Sequence, residues 1–138
     1  MIRTLFVLGL ICFILSGCGD TIHGKAVAES QVGVFHAKLN AEQFEEIYSS
    51  AGKELQQVAS KGKTIKLFST IERRLGKVRK STTVNWKVNT FNFVTTVVLF
   101  EKTEFEHGDG DETFTFRVDG ETAVLVGYYI NSMDMLSN

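Results

Sequence analysis

One cysteine, three histidines and a short run of carboxylates are the residues of this 138-residue chain whose types and spacing could do chemistry. Cys18 follows the small residues Ser16-Gly17 at the end of an apolar stretch, a setting that favours modification of its sulfur over catalysis by it. His23, His36 and His107 show no HxxxH spacing and have no cysteine nearby, so they do not form the ligand set that zinc requires. Asp109-Gly110-Asp111-Glu112 groups carboxylates able to attract calcium, but it lacks the further ligands and the distant bidentate glutamate of an EF-hand loop. A solvated turn is the simpler expectation there. No GxSxG elbow and no glycine-rich strand-to-helix turn occurs, which removes the common hydrolase and phosphate-cradling arrangements. Tyr48, Trp86, Glu101, Tyr128 and Tyr129 are the residues that could line a cavity where burial shifts a carboxyl and a tyrosine donates a hydrogen bond. Each also has a plainer role, with the aromatics packed and their polar ends wet, and Glu101 on the solvent face of a strand. No catalytic residue, metal or cofactor is assigned.

Leu15-Ser16-Gly17-Cys18 resembles the lipobox of bacterial lipoproteins. The resemblance implies that residues 1–17 are a cleaved signal peptide and that Cys18 begins the mature chain, with a diacylglycerol on its sulfur and often a third acyl chain on its amine. The apolar run from Leu5 to Leu15 has 11 residues, whereas crossing the hydrocarbon takes about 20. Two or three acyl chains, at about 0.8 kcal/mol per buried CH₂, are enough to hold a protein at a bilayer. Membrane lipid, reached through acylated Cys18, is therefore the expected partner. The expected location is the bacterial cell envelope, on the periplasmic side of the inner or outer membrane if the cell is Gram-negative. Asp20 lies one place beyond where it would most simply signal inner-membrane retention, so the choice of membrane stays open.

Without residues 1–17, 121 residues remain, enough for one domain. Cys12 leaves with the signal and Cys18 is acylated, so no disulfide is expected and packing must supply the stability. Fourteen basic against 16 acidic residues leave the mature chain near −2, which does not point to nucleic acid. Local charge is less even. Residues 53–80 carry nine basic side chains against Glu54 and Glu72, and residues 101–121 carry eight acidic ones against Lys102 and Arg117. Either the basic segment faces anionic lipid while the acidic one points outward, or the two sets are solvated or complement each other within the fold.

These residues must be positioned by an α+β domain spanning 26–138, tethered by a flexible stretch over 18–25. Ala28, Val32, Phe35 and Leu39 recur at helical spacing, and Phe44, Ile47, Tyr48 and Ala51 predict a second helix interrupted at Gly52, with Leu55, Val58 and Ala59 continuing its stripe. Thr64 is expected to cap a third helix that buries Ile65, Phe68, Ile71 and Leu75 and stops at Gly76. The period then falls to 2. Val84, Trp86 and Val88 alternate with polar residues, a turn is expected over Asn89–Phe93, and Val97-Val98-Leu99-Phe100 implies a strand buried on both faces or bulged. Residues 107–111 should turn the chain, and Asp119-Gly120 should turn it again. Four antiparallel strands in meander order, with the helices packed on one face of a curved sheet, are the expected architecture. Phe91 and Phe93 flank Asn92 near a hairpin tip, where they should either fold back onto the sheet, the favoured outcome, or face a partner.

Phe35-His36-Ala37-Lys38-Leu39-Asn40, Phe44 to Tyr48, Arg74-Leu75-Gly76-Lys77-Val78, Trp86-Lys87-Val88-Asn89-Thr90, Thr103-Glu104-Phe105-Glu106 and Tyr128-Tyr129-Ile130-Asn131-Ser132 resemble a family of small bacterial lipoproteins known as a domain of unknown function. That resemblance implies a cystatin-like or nuclear-transport-factor-like cone and brings no site residues with it. The expected role is a non-enzymatic interaction or accessory module that engages an envelope protein, with a homodimer through the sheet left open. The alternative is a binder of a small apolar ligand in the cone cavity, followed by an isomerase-like enzyme.

Overall fold

The computed structural model describes residues 19–137, so Cys18 and the expected signal peptide lie outside the described residues. Helix α1 (Gly19–Asn40) is followed by α2 (Phe44–Ser50), α3 (Lys53–Val58) and α4 (Lys61–Leu75). Strands β1 (Val78–Phe91), β2 (Val94–Phe105), β3 (Gly108–Asp119) and β4 (Thr122–Asn131) then form one antiparallel sheet in the order β1-β2-β3-β4, and a final turn of helix, α5 (Met133–Leu136), closes the chain. The fold is α+β, as the change of period from 3.6 to 2 predicts.

Helix α1 starts earlier than expected. Residues 19–25 are its first turns instead of a flexible tether, and Gly24 is buried. A Cβ at Gly24 would touch Val97 Cγ2 at 3.7 Å and Val118 Cγ1 at 3.9 Å. The inward stripe is thus Gly24, Ala28, Val32, Phe35 and Leu39, and its first member lacks the side chain that would have revealed it.

The expected interruption at Gly52 is present, and the helical layer departs from the sequence pattern at two further points, Val58 and the cap of α4. Gly52 breaks α2 from α3 because the chain presses on β4: its N–H donates to Leu125 O at 2.8 Å, and a Cβ would lie 2.9 Å from Val126 Cγ1. Past that break Val58 leaves the stripe and is 85% exposed. Helix α4 is capped by Ser60, not Thr64. The Ser60 Oγ accepts from Lys63 N–H at 3.4 Å, while Thr64 is buried in the first turn. Gly76 ends the helix with φ +78°, as its type suggests.

In the sheet, Val97, Leu99, Glu101, Thr103 and Phe105 of β2 point at the helices, so the consecutive valines alternate faces without a bulge in β2. The irregularities fall in β1, at Arg79 and Val84, and in β4, at Val126; the one at Val84 leaves that side chain exposed. The β2–β3 turn is tighter than predicted, and the β3–β4 turn is shifted by one residue. Phe105 pairs with Gly108 across Glu106-His107, and Asp119 pairs with Thr122 across Gly120-Glu121. The Asp109-to-Glu112 segment therefore lies within β3. Alternation sends Asp109 and Asp111 outward but Gly110 and Glu112 inward, so these carboxylates cannot converge on a cation.

Asn40, the last residue of α1, ties the helix to the sheet edge. Its Oδ1 accepts from Val78 N–H at 2.8 Å and its Nδ2 donates to Val78 O at 3.2 Å. Gln43, at the start of α2, makes no capping bond through its side chain.

The β1–β2 turn is Asn92-Phe93, with φ +47° and +63°, and Phe91 pairs with Val94 across it. Positive φ at both central residues is the type I′ pattern, which suits asparagine and glycine but strains phenylalanine. Phe91 is 72% exposed and Phe93 fully so, which corrects the expectation that they fold back. At φ +63° the backbone aims the Phe93 side chain away from both sheet faces. Phe93→Gly would relieve left-handed strain of about 1–2 kcal/mol, offset by about 0.5–1 kcal/mol of extra unfolded-chain freedom. Thermal unfolding should show a modest gain in Tm, and a fall would show that the ring contributes packing.

Candidate functional site

Four strands and one helix bring a set of polar side chains into the interior, where the sequence pattern placed only apolar ones. Glu101 of β2 and Glu112 of β3 are direct cross-strand partners on the helix-facing side, 4% and 1% exposed. Burial of a carboxylate is tolerated only with partners, and Glu112 has three. His36 Nε2–H of α1 donates to its Oε2 at 2.7 Å, Thr103 of β2 donates to the same oxygen at 2.6 Å, and Tyr128 of β4 donates to Oε1 at 2.6 Å. Glu101 takes hydroxyls from β1, with Ser81 on Oε2 at 2.7 Å and Thr83 on Oε1. Ser81 and Thr103 lie 2.9 Å apart, which joins the two carboxyl groups through a pair of hydroxyls. Among the described residues every buried side-chain nitrogen and oxygen has a partner.

Counting protons shows what this chain can do. Ser81 and Thr103 each own one hydroxyl proton, yet three contacts run along Glu101–Ser81–Thr103–Glu112. All three are hydrogen bonds at once only when the relay holds one further proton. The two hydroxyls can turn toward either carboxyl group without moving a heavy atom, so the chain of contacts can be polarised from either end. The Glu101 end reaches a cleft of about 350 Å³ between α1 and β1, bordered by Glu29, His36, Lys80, Ser81 and Thr83. The Glu112 end is sealed inside.

Aromatic rings do the sealing. Phe35 meets Phe68, Phe114 and Tyr128 at centroid distances of 5.5, 5.0 and 4.9 Å, and Phe114 lies 5.1 Å from Tyr128. Burial, with the Glu112 carboxylate beside it, pushes the Tyr128 phenol well above its usual value of 10.0. The neutral phenol is thus favoured in the fold, and its contribution is complete below pH 10. That contribution is lost as pH rises from about 10 through the raised folded-state value.

The five candidate cavity residues divide. Glu101 and Tyr128 both belong to the network. Glu101 faces the interior instead of the solvent because β2 alternates in that sense. Tyr48 instead bridges the helical layer, its hydroxyl donating to Ala59 O at 3.0 Å. Trp86 sits on the rim of the inner face, 38% exposed, with Lys25 Nζ 5.7 Å from its ring centre. Tyr129, on the outer face, is exposed. His36 and Glu112 were missed. His36 directly follows Phe35 of the buried stripe, and Glu112 stands two residues before Phe114 on the same face, the two signals that could have found them.

The segmental charge bias is only partly offset in the fold. Glu101 and Glu112 leave the surface, Lys80 faces Glu104 across the β1–β2 ladder, Lys102 pairs with Asp111 at 2.6 Å, and Arg117 pairs with Glu54 at 2.8 Å, lowering the Glu54 carboxyl. No cluster of three or more metal-ligating side chains occurs among the described residues. Compared with protein-family models and with curated proteins, the chain gives no match.

The proton count separates the two glutamates. Glu101→Gln supplies a permanent donor toward Ser81 and should change stability by less than about 1 kcal/mol. Glu112→Gln removes the anion that His36, Thr103 and Tyr128 share, and should cost about 2–3 kcal/mol. Urea denaturation of both variants decides; equal costs, or the reverse order, would refute the shared-proton relay. Replacing Tyr128 by Phe should also flatten the loss of stability above pH 10, visible in unfolding midpoints across an alkaline series.

Proposed function

We propose that the protein is an acyl-anchored lipoprotein of the bacterial envelope, whose α+β domain acts as a non-enzymatic interaction or accessory module. The observation that carries this is Leu15-Ser16-Gly17-Cys18, a small-residue approach to a cysteine after an apolar run too short to span a bilayer. Two structural facts support it. No helix among the described residues is long and apolar enough to cross a membrane, and α1 is already helical at Gly19, one residue past the cysteine. The domain would then stand directly on its anchor with almost no leash. Membrane lipid is one partner, and an envelope protein is the second.

A small apolar ligand finds no room among the packed rings and would have to sit in the open cleft of about 400 Å³ beside Phe35, Ile47, Phe116 and Leu125. Phe35, Phe68, Phe114 and Tyr128 occupy the space between helices and sheet, and the apolar groove beside them, lined by Leu55, Leu67 and Val126, holds about 170 Å³. That is below the roughly 300 Å³ at which ligand pockets begin. The resemblance to small envelope lipoproteins of the cone fold agrees with the proposal, though it supplies no residue roles.

Expression in a bacterial host with labelled palmitate should mark the protein, and intact mass should show loss of residues 1–17 plus two or three acyl chains. Cys18→Ser should abolish the label and release the protein from the membrane fraction. A label that survives the substitution would overturn the proposal.

A further inference from the structure

We infer that the β1–β2 hairpin tip is a second membrane contact, with Phe91 and Phe93 entering the bilayer interface beside the acylated N-terminus. The inference rests on the anchoring proposed above and adds an orientation to it.

The end at which α1 begins follows from its contacts. Gly24 packs on Val97 and Val118, His23 lies 2.7 Å from Glu121, and Lys25 covers Trp86. Val97 is three residues past Val94, the rung that closes the β1–β2 hairpin, and Val118 is next to the β3–β4 tip. From Gly24 back to Gly19 the helix rises about 7 Å, while Val97 to Val94 spans about 10 Å of strand. The first described residue and both hairpin tips therefore stand at the same end of the molecule. Asn40, at the other end of α1, is bound to the start of β1. Acyl chains on the residue next to Gly19 would bring this end, and no other, to the membrane.

What that end displays suits an interface. Phe93 is fully exposed, Phe91 and Val94 are exposed beside it, and Ile22 is 65% exposed on the helix. Aromatic rings are favoured at the headgroup level of bilayers. A type I′ turn also makes Phe93 an expensive choice for the soluble fold, since its backbone strain is repaid by no packing against the sheet. A bilayer at this end supplies the missing burial. The basic residues Arg73, Arg74, Lys77, Arg79 and Lys80 follow the end of α4 and the start of β1, at the far end from Gly19. In this orientation these five basic residues lie away from the lipid, and apolar contact takes the place of charge.

The test uses the acylated mature protein in phosphatidylethanolamine–phosphatidylglycerol vesicles. With Cys18 acylated, Phe93→Cys gives a single thiol for a nitrobenzoxadiazole probe, and Glu104→Cys provides a control at the opposite end. The probe at 93 should brighten severalfold, shift to shorter wavelength and be quenched by a nitroxide lipid, while the probe at 104 should behave as in water. An acylated, vesicle-bound protein whose probe at 93 stays aqueous overturns this inference and leaves the anchoring intact. A chain without acyl mass at Cys18 overturns both. A blue shift that the lipid nitroxide does not quench, and that grows with protein concentration, assigns the tip to a second copy of the chain and also overturns the inference.

Discussion

Glu112 is the point on which the interior turns. A carboxylate removed from water costs several kcal/mol unless its oxygens are met by donors, and three elements besides its own supply them: His36 from α1, Thr103 from β2 and Tyr128 from β4. Apolar burial alone would hold α1 on the sheet with some freedom to slide, since methyl groups and rings accept many neighbours. The one bond that crosses the layers, from His36 to a carboxylate that Thr103 and Tyr128 hold in place on the sheet, removes that freedom and fixes how far down the sheet the helix sits. Registry of this kind is the best-attested use of buried polar groups. The aromatic rings packed around the carboxyl complete the arrangement by keeping out the water that would weaken it.

The same registry determines what lies at each end of the molecule. With His36 placed against Glu112, Asn40 reaches the first residue of β1 and Gly24 reaches the last inward valines of β2 and β3. A helix of 22 residues is about 33 Å long, so the level of its first turn follows from one contact near its other end. The placement of the N-terminus beside two hairpin tips is thus a downstream effect of a single buried carboxylate.

Much of this was legible in the sequence, and the limits have physical causes. Ala28, Val32, Phe35 and Leu39 announced α1, and Phe114, Phe116 and Val118 announced the inner face of β3, because repeated burial writes a period. The same period, continued by two residues from Phe114, would have put Glu112 inside, but a charged residue near two glycines reads by composition as a loop. The first turns of α1 were hidden because Gly24 packs by lacking a side chain, whereas the interruption at Gly52 was legible and only its cause, the pressure from β4, was not. The partnership of His36 with Glu112 joins residues 76 positions apart, which no local pattern can report.

Asn40 has a consequence of another kind. Its side-chain amide meets both polar groups of Val78, so at that rung it stands in for one peptide unit of a fifth strand. An edge strand with bare N–H and C=O groups invites a neighbouring chain to continue the ladder. At the foot of β1 the invitation is already taken, by a residue that the sheet's own covering helix delivers. Any foreign strand seeking that edge would have to start farther along, where the bulge at Val84 disturbs the spacing it must match.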